Sequence, residues 1–442
     1  MKNQILEQVL RAVSPSKREE KAVRKLAREI EETLEKYLPA GTTITLAGSV
    51  VKGTFLRGRG DIDLFVLFPF SYTKEEMFEK VKKAAAKAFP RIRKEISYAE
   101  HPYLRVHFQG KKADIVPAYF MREGEHIRSS VDRSQLHTKY VLSHIDDEKK
   151  GEVRLLKRFL ATNGLYGAEI KILGFSGYLC ELLILQYGDF LSTLNSASVW
   201  RLPVFIDPMH HYLSRTTGLD RFPDSTFIVV DPVDSTRNVA AAVSEENLAK
   251  FMLLGREFLN RPATSFFKDK PVLSRQKLTS LVERRNVFTI SMEPPKVVED
   301  VLWGQLRKFS HSFSSFLEEQ GFTVLSTQPR ISGKRALVIF EVAEEELPRN
   351  RLVQGPSVFM GPDCSRFFSF HKKSAFFVRK SRVYAYEKRK IRTVEAAYSA
   401  FRSRHAEHFP SKIKNSAKHA KLLSGKLLLR YPKPLSDYFQ SF

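Results

Sequence analysis

Apolar residues recur along this chain with two different spacings, and the change from one to the other marks out the elements. Ile5, Val9 and Leu10 keep a helical spacing, Ser14-Pro15-Ser16 breaks it, and Val23, Leu26, Ile30 and Leu34 resume it, so residues 1 to 38 are predicted helical with one interruption. Thr43 to Ala47 reads as a strand, Gly48-Ser49 as a turn, Val50 to Leu56 as a short helix, and Leu64 to Phe68 as an apolar run of strand length. An amphipathic helix is predicted over Lys74 to Phe89, then strands over Leu104 to Phe108 and Ala113 to Val116, joined by the hairpin signal Gln109-Gly110-Lys111-Lys112. A helix carrying His137, Tyr140 and Val141 follows, and the polar cluster Asp146 to Gly151 sets a first boundary.

Beyond it, Val153 to Leu160 is strongly helical, and Tyr178 to Tyr187, with Cys180, reads as a core helix. A strand over Phe227 to Val230 runs into Asp231-Pro232-Val233-Asp234-Ser235-Thr236-Arg237-Asn238, and a helix over Glu245 to Leu259 ends near a second boundary at 260. The last segment predicts a strand at Val287 to Met292, a helix at Val297 to Gln320, and strands at Thr323 to Ser326 and Ala336 to Val342. Such a mixture, with three segments at 1–146, 147–260 and 261–442, is an α+β multidomain pattern.

Candidate chemistry gathers at Leu46 to Phe68. Side chains alternate faces along a strand, so Asp61 and Asp63 project to one side while Ile62 enters the core. Two carboxylates side by side repel, and a hard cation such as Mg²⁺ is the usual compensation. Gly48 permits a tight turn and Ser49 is a good N-cap, so free backbone N–H groups are expected opposite the carboxylates, as anionic phosphates require. Lys52 falls on the helical turn that follows and reads either as an aid to such an anion or as a solvated lysine. Asp114 stands alone among Ala113, Ile115, Val116 and Pro117, and a buried unpartnered carboxylate is costly. It is the natural third member beside Asp61 and Asp63, with a turn-capping aspartate as the alternative. His137 reads as a structural histidine or a ligand contact. Arg154, Lys157 and Arg158 form one basic helix stripe, either a solvated face or a phosphate contact.

Charge adds a partner. The 442 residues carry 73 Lys and Arg against 49 Asp and Glu, a net charge of +24, which points to a polyanion and first to nucleic acid. Residues 371–442 hold 18 basic and 4 acidic residues, so the excess is concentrated at the C-terminal end. Two cysteines in unrelated contexts exclude a disulfide framework and a cysteine-based zinc site. No segment has the length of a membrane span and no apolar h-region opens the chain, so a soluble, cytoplasmic protein is expected.

Gly48-Ser49, Asp61-x-Asp63 and Asp114 together resemble the palm of the DNA polymerase β nucleotidyltransferase superfamily. The phrases AEHPYLRVHF, ADIVPAY, SSVDRSQLH, EVRLLKRFLATNGLYGAEIK, GFSGYLCELL and VVDPVDSTRNVAA resemble the archaeal (class I) CCA-adding enzymes, tRNA nucleotidyltransferases. The resemblance covers residues 46 to 242 and reaches more weakly into the C-terminal part through GPSVF and AYEKRKIRTVEAAY. It implies a polymerase β-like nucleotidyltransferase head at 1–146, a mostly helical neck at 147–260, and an α/β body and tail at 261–442. It further implies two Mg²⁺ ions on Asp61, Asp63 and Asp114. Nucleotide contacts are implied at Gly48, Ser49, Lys52, His137, Lys157 and Tyr166, with Arg237 helping to choose the incoming base. Lys52 stands where some relatives have arginine, which keeps a phosphate charge and loses the bidentate fork.

The implied reaction is template-independent addition or repair of the 3′-terminal CCA of tRNA from CTP and ATP, with tRNA bound by its acceptor arm and no membrane involved, by a monomer or homodimer. A poly(A) polymerase-like or oligoadenylate-type transferase, and a non-catalytic RNA-binding relative, are the alternatives.

Overall fold

The computed structural model describes residues 2–98, 102–121 and 130–441. Ala99-Glu100-His101 and Ser129, all within the phrases quoted above, lie outside the described residues. The chain divides into two compact units, Met1–Asp269 and Lys270–Phe442.

The first unit opens with helices α1 (Lys2–Val13) and α2 (Lys17–Glu35), and Ser16 caps α2 by accepting from the Glu19 N–H. It continues with β1 (Thr43–Ala47), α3 (Gly48–Lys52), β2 (Ile62–Phe68), α4 (Lys74–Ala88), β3 (Lys94–Tyr98), β4 (Pro102–Phe108) and β5 (Lys111–Tyr119). The five strands form one sheet in the order β1-β2-β5-β4-β3, with only β2 and β5 parallel. Its strands alternate as their sequences require. Ile62, Leu64, Val66 and Phe68 pack with Ile30, Val81 and Ala85 of α2 and α4, while Phe65 and Leu67 share the opposite face with Ala47, Ala118 and Val131. The Gln109-Gly110 turn has positive φ at both residues, as a two-residue hairpin between twisted strands demands.

Around and beyond this sheet lie α5 (Ser130–His144), α6 (Asp147–Thr162), α7 (Gly177–Tyr187), α8 (Phe190–Ser198), β6 (Val204–Ile206), α9 (Arg215–Arg221), β7 (Phe227–Asp231), β8 (Asp234–Asn238) and α10 (Glu245–Asn260). One core, from Leu6 and Val9 through Phe159, Phe175, Phe190 and Phe251 to Phe267, unites α1 with these helices. Ser176 caps α7 and Ser244 caps α10 through their side-chain oxygens.

The second unit contains α11 (Arg275–Arg284), β9 (Val287–Met292), α12 (Glu299–Gln320), β10 (Val324–Ser332), β11 (Arg335–Val342), β12 (Asn350–Ser357), α13 (Gly361–Phe370), β13 (Ala375–Arg379), β14 (Arg382–Lys388), α14 (Val394–His405), α15 (Lys414–Lys418), β15 (Lys421–Ser424) and α16 (Pro432–Phe439). Its larger sheet runs β10-β11-β9-β15 and its smaller one β12-β14-β13. Phe309, Phe313 and Leu317 of α12 pack with Phe340 of β11 and with Val394 and Phe401 of α14. The strand expected at Thr323 to Ser326 extends to Ser332, because it pairs along the whole of β11. Among the described residues no helix is long and apolar enough to cross a membrane.

Candidate active site

Strand register builds the first group of side chains. Ala47 of β1 lies opposite Asp63 of β2, Asp63 opposite Asp114 of β5, and Asp114 opposite Arg105 of β4, a single row across four strands. Asp63 shares its face with Phe65 and Leu67, and Asp114 shares its face with Ala118. Asp61 immediately precedes β2 and is exposed. Burial, then repulsion by Asp114 and Asp61, pushes the Asp63 carboxyl from 3.8 up to about 7, and burial followed by Asp114 raises Asp61 as well.

Asp114 is not without a partner, as its apolar neighbours suggested. Arg105 grips it bidentately, Nε donating to Oδ1 and Nη2 to Oδ2, each at 2.7 Å. Sequence reasoning missed Arg105, which is visible only once β4 and β5 are in register.

Gly48 approaches this row more closely than any side-chain-bearing residue could. Its φ is +71°, and a Cβ there would lie 1.8 Å from Asp63 Oδ2. Ser49, in contrast to the expectation, is not the N-cap: α3 starts at Gly48 with Ala47 in that position, and no side chain caps it. Ser49 therefore lies inside the first turn.

A second group surrounds Glu181 of α7, a fully buried carboxylate. Lys52 Nζ donates to Oε2, Thr54 Oγ1 to Oε1 at 2.6 Å, and Lys157 Nζ to Oε1 at 3.2 Å. Burial alone would raise Glu181, but Lys52 and Lys157 outweigh it and hold it below its ordinary value. Lys157 also donates to Thr54 O at 3.2 Å and Thr54 Oγ1 at 3.0 Å, so its three N–H groups are all engaged. Lys52 is the last residue of α3, not part of a solvated first turn, and is 7% exposed. Tyr166 stands beside this group, since a Cβ on Gly177 would meet its hydroxyl at 3.1 Å and Lys157 Nζ at 3.6 Å. The rest of the basic stripe serves packing: Arg154 donates to Phe55 O and Gly53 O, and Arg158 to Phe267 O.

The third group centres on Asp231, at the end of β7. His137 Nε2 and Arg237 Nη1 each lie 2.7 Å from its Oδ2, and Tyr178 hydroxyl donates to Oδ1 at 3.2 Å. His137 stacks on Tyr178 at a centroid distance of 4.0 Å, and Lys52 Nζ lies 5.7 Å from the same ring. Lys52 thus touches both the Glu181 and the Tyr178 groups, and its charge offsets part of the rise at Asp63. The helix expected to be only core thus contributes Tyr178 and Glu181 to the site, while Cys180 is buried as anticipated. A polar residue inside that apolar run, Glu181, was the available signal.

The donor set suits a hard divalent cation. Asp61 and Asp63 are raised by burial first and then by repulsion that a cation would relieve, and Asp114 keeps lone pairs beyond the two that Arg105 takes. Among the described residues no three His, Cys, Asp or Glu side chains are already arranged around a metal position. In the second unit, a cavity of about 760 Å³ is lined by Lys296, Arg335, Lys412, Lys421 and Arg430 with Glu293 as the acidic member.

A five-stranded sheet carrying carboxylates in register, with a glycine-opened helix against them, lies within the part of the chain that matches a nucleotidyltransferase domain. The chain matches the family described as nucleotidyltransferase domain over residues 27–137, tRNA nucleotidyltransferase second domain over 151–268, and CCA-adding enzyme C-terminal domain over 284–425. It is 37% identical over 438 residues to a CCA-adding enzyme of Archaeoglobus fulgidus, covering 97% of this chain and 96% of the relative. A CCA-adding enzyme of Methanocaldococcus jannaschii is 35% identical over 398 residues, covering 87% of each. The chain belongs to the CCA-adding enzyme family. The Cid1 poly(U) polymerase structure has a similar fold over 60% of this chain and 98% of its own, with a TM-score of 0.50 at 14% identity.

Proposed function

We propose that this enzyme adds or repairs the 3′-terminal CCA of tRNA without a nucleic-acid template, using CTP and ATP and releasing pyrophosphate. The observation that carries the reading is the Asp63–Asp114 row with Gly48 against it, in a chain alike to CCA-adding enzymes over nearly its whole length. Asp61, Asp63 and Asp114 would hold two Mg²⁺ ions. Bound Mg²⁺ supplies a lowered pKa for the terminal 3′-hydroxyl and charge neutralisation on the triphosphate. Arg105 keeps Asp114 turned along the row. Gly48, Ser49 and the N–H groups of the first turn receive the outer phosphates, and Lys52 adds the N–H groups that Glu181 leaves unengaged. The 3′-oxygen bonds to the α-phosphorus as the bond to pyrophosphate breaks, with positioning as the protein's main contribution.

His137 and Tyr166 orient the nucleotide, Lys157 holds Thr54 and Glu181 in place behind it, and Arg237 reads the incoming base. The head at 1–146 and neck at 147–260 carry this chemistry. The body and tail at 261–442 grip the acceptor arm by phosphates and shape, with the Lys296–Arg335–Lys412–Lys421–Arg430 cavity as a phosphate contact. The same reading puts the reaction in the cytoplasm.

The test is incubation of tRNA lacking its 3′ end with each nucleoside triphosphate separately and with CTP and ATP together. Addition of C from CTP alone, and of C followed by one A with both present, is expected, whereas unlimited incorporation of A with CTP ignored would sink the CCA reading. Asp63→Ala should abolish transfer and retain tRNA binding.

A further inference from the structure

Asp231 has no contact left to offer a ligand. It is 0% exposed, and besides His137, Arg237 and Tyr178 it accepts from the Val233 N–H at 3.1 Å. These four bonds account for the roughly four lone-pair sites of a carboxylate. They come from α5, α7, β8 and the turn after β7, so one buried group sets the relative placement of side chains from separate elements. Hydrogen bonds from His137, Arg237 and Val233 outweigh burial and hold Asp231 below its ordinary value, so the group is an anion at neutral pH.

An anionic acceptor dictates the state of its partner. His137 must carry its hydrogen on Nε2, and with burial lowering its pKa the neutral ring keeps an acceptor lone pair at Nδ1. Arg237 is held by Nη1 alone among the described residues, and its side chain is 34% exposed, so Nε and Nη2 remain as donors in a fixed plane.

We infer that Asp231 is a specificity-determining positioning residue, which fixes the His137 tautomer and the Arg237 guanidinium together and thereby sets discrimination among incoming bases. The inference rests on the assignment of base choice to Arg237. An asparagine at 231 loses the negative charge and sets an NH2 donor either against the Val233 N–H and Tyr178 or against His137 and Arg237, so the four-donor arrangement around the carboxylate cannot persist.

The experiment compares wild type, Asp231→Asn and Arg237→Ala for the ratio of kcat/KM with CTP to that with UTP, on tRNA lacking its CCA end. It also records the ¹⁵N spectrum of His137, assigned by His137→Gln. Asp231→Asn is expected to lower the ratio about tenfold or more, within the range for a misplaced bidentate base contact, and to move His137 away from the Nε2–H form. An unchanged ratio in Asp231→Asn, with the ratio lost in Arg237→Ala, overturns the role of Asp231 and leaves base choice with Arg237. An unchanged ratio in Arg237→Ala overturns that assignment and the inference with it. If Asp231→Asn does not fold, the wild-type spectrum decides: the Nε2–H form supports the proposal, and the Nδ1–H form refutes it.

Discussion

Gly48→Ala is the most direct test of how the carboxylate row is held. The new Cβ would stand 1.8 Å from Asp63 Oδ2 and 2.8 Å from Cγ, whereas side-chain contacts do not fall below 3.0 Å, so the carboxylate must retreat by more than an ångström. Positive φ adds a cost of about 1–2 kcal/mol for any residue with a Cβ. For a unit of this size that corresponds to a fall in Tm of roughly 2–8 °C. The larger effect falls on rate, because a displacement of about 1 Å in a positioned group costs about a hundredfold. Asp63 cannot move away along the row, since Asp114 faces it in register and is clamped by Arg105. The assay is steady-state addition of CMP to tRNA lacking its 3′ end, beside a thermal melt. A kcat/KM about a hundredfold lower with a modest Tm loss is expected. Activity within a few-fold of wild type would show that Asp63 does not need its present position.

Three further outcomes follow from the same geometry. Glu181→Gln leaves two buried ammonium groups with no counter-charge, so a loss of about 3–5 kcal/mol is expected; an unchanged melt would mean that Lys52 and Lys157 do not depend on Glu181. Between 3.8 and about 7 the metal-free fold holds a proton on Asp63 that the unfolded chain has released, so stability falls as pH rises through that window. Mg²⁺ should therefore raise Tm more at pH 8 than at pH 6, and equal shifts would refute the linkage. Removing residues 371–442 would also remove Val394, Ala397 and Phe401 from the second core, so charge replacement is the cleaner probe of the basic end. Replacing exposed Lys372, Lys373 and Lys380 by serine should weaken tRNA binding and flatten its salt dependence by roughly one per lost phosphate contact; an unchanged slope would move the footprint elsewhere.

Local pattern alone determined much of this protein. Period-two alternation set Ile62, Leu64 and Val66 on one face of β2 and Asp63, Phe65 and Leu67 on the other, with Asp61 just before the strand, and Gly48 marked a turn into a helix. Helical spacing located α1, α2, α4 to α7, α10 and α12, because these features depend on neighbours within a few residues. The pairing of distant groups needed the tertiary structure. Arg105 reaches Asp114 only through the β4–β5 register, and Glu181 gathers Lys52 and Lys157 only because α7 packs beside α3 and α6. Arg154, Lys157 and Arg158 form a stripe in sequence, yet each turns to a partner within the first unit, since spacing gives the face of a helix and not what covers it. Asp231 stood in plain view in the DPVDSTRN segment without any sign of its role. A carboxylate becomes a hub only when donors from several elements converge on it, and that convergence belongs to the fold.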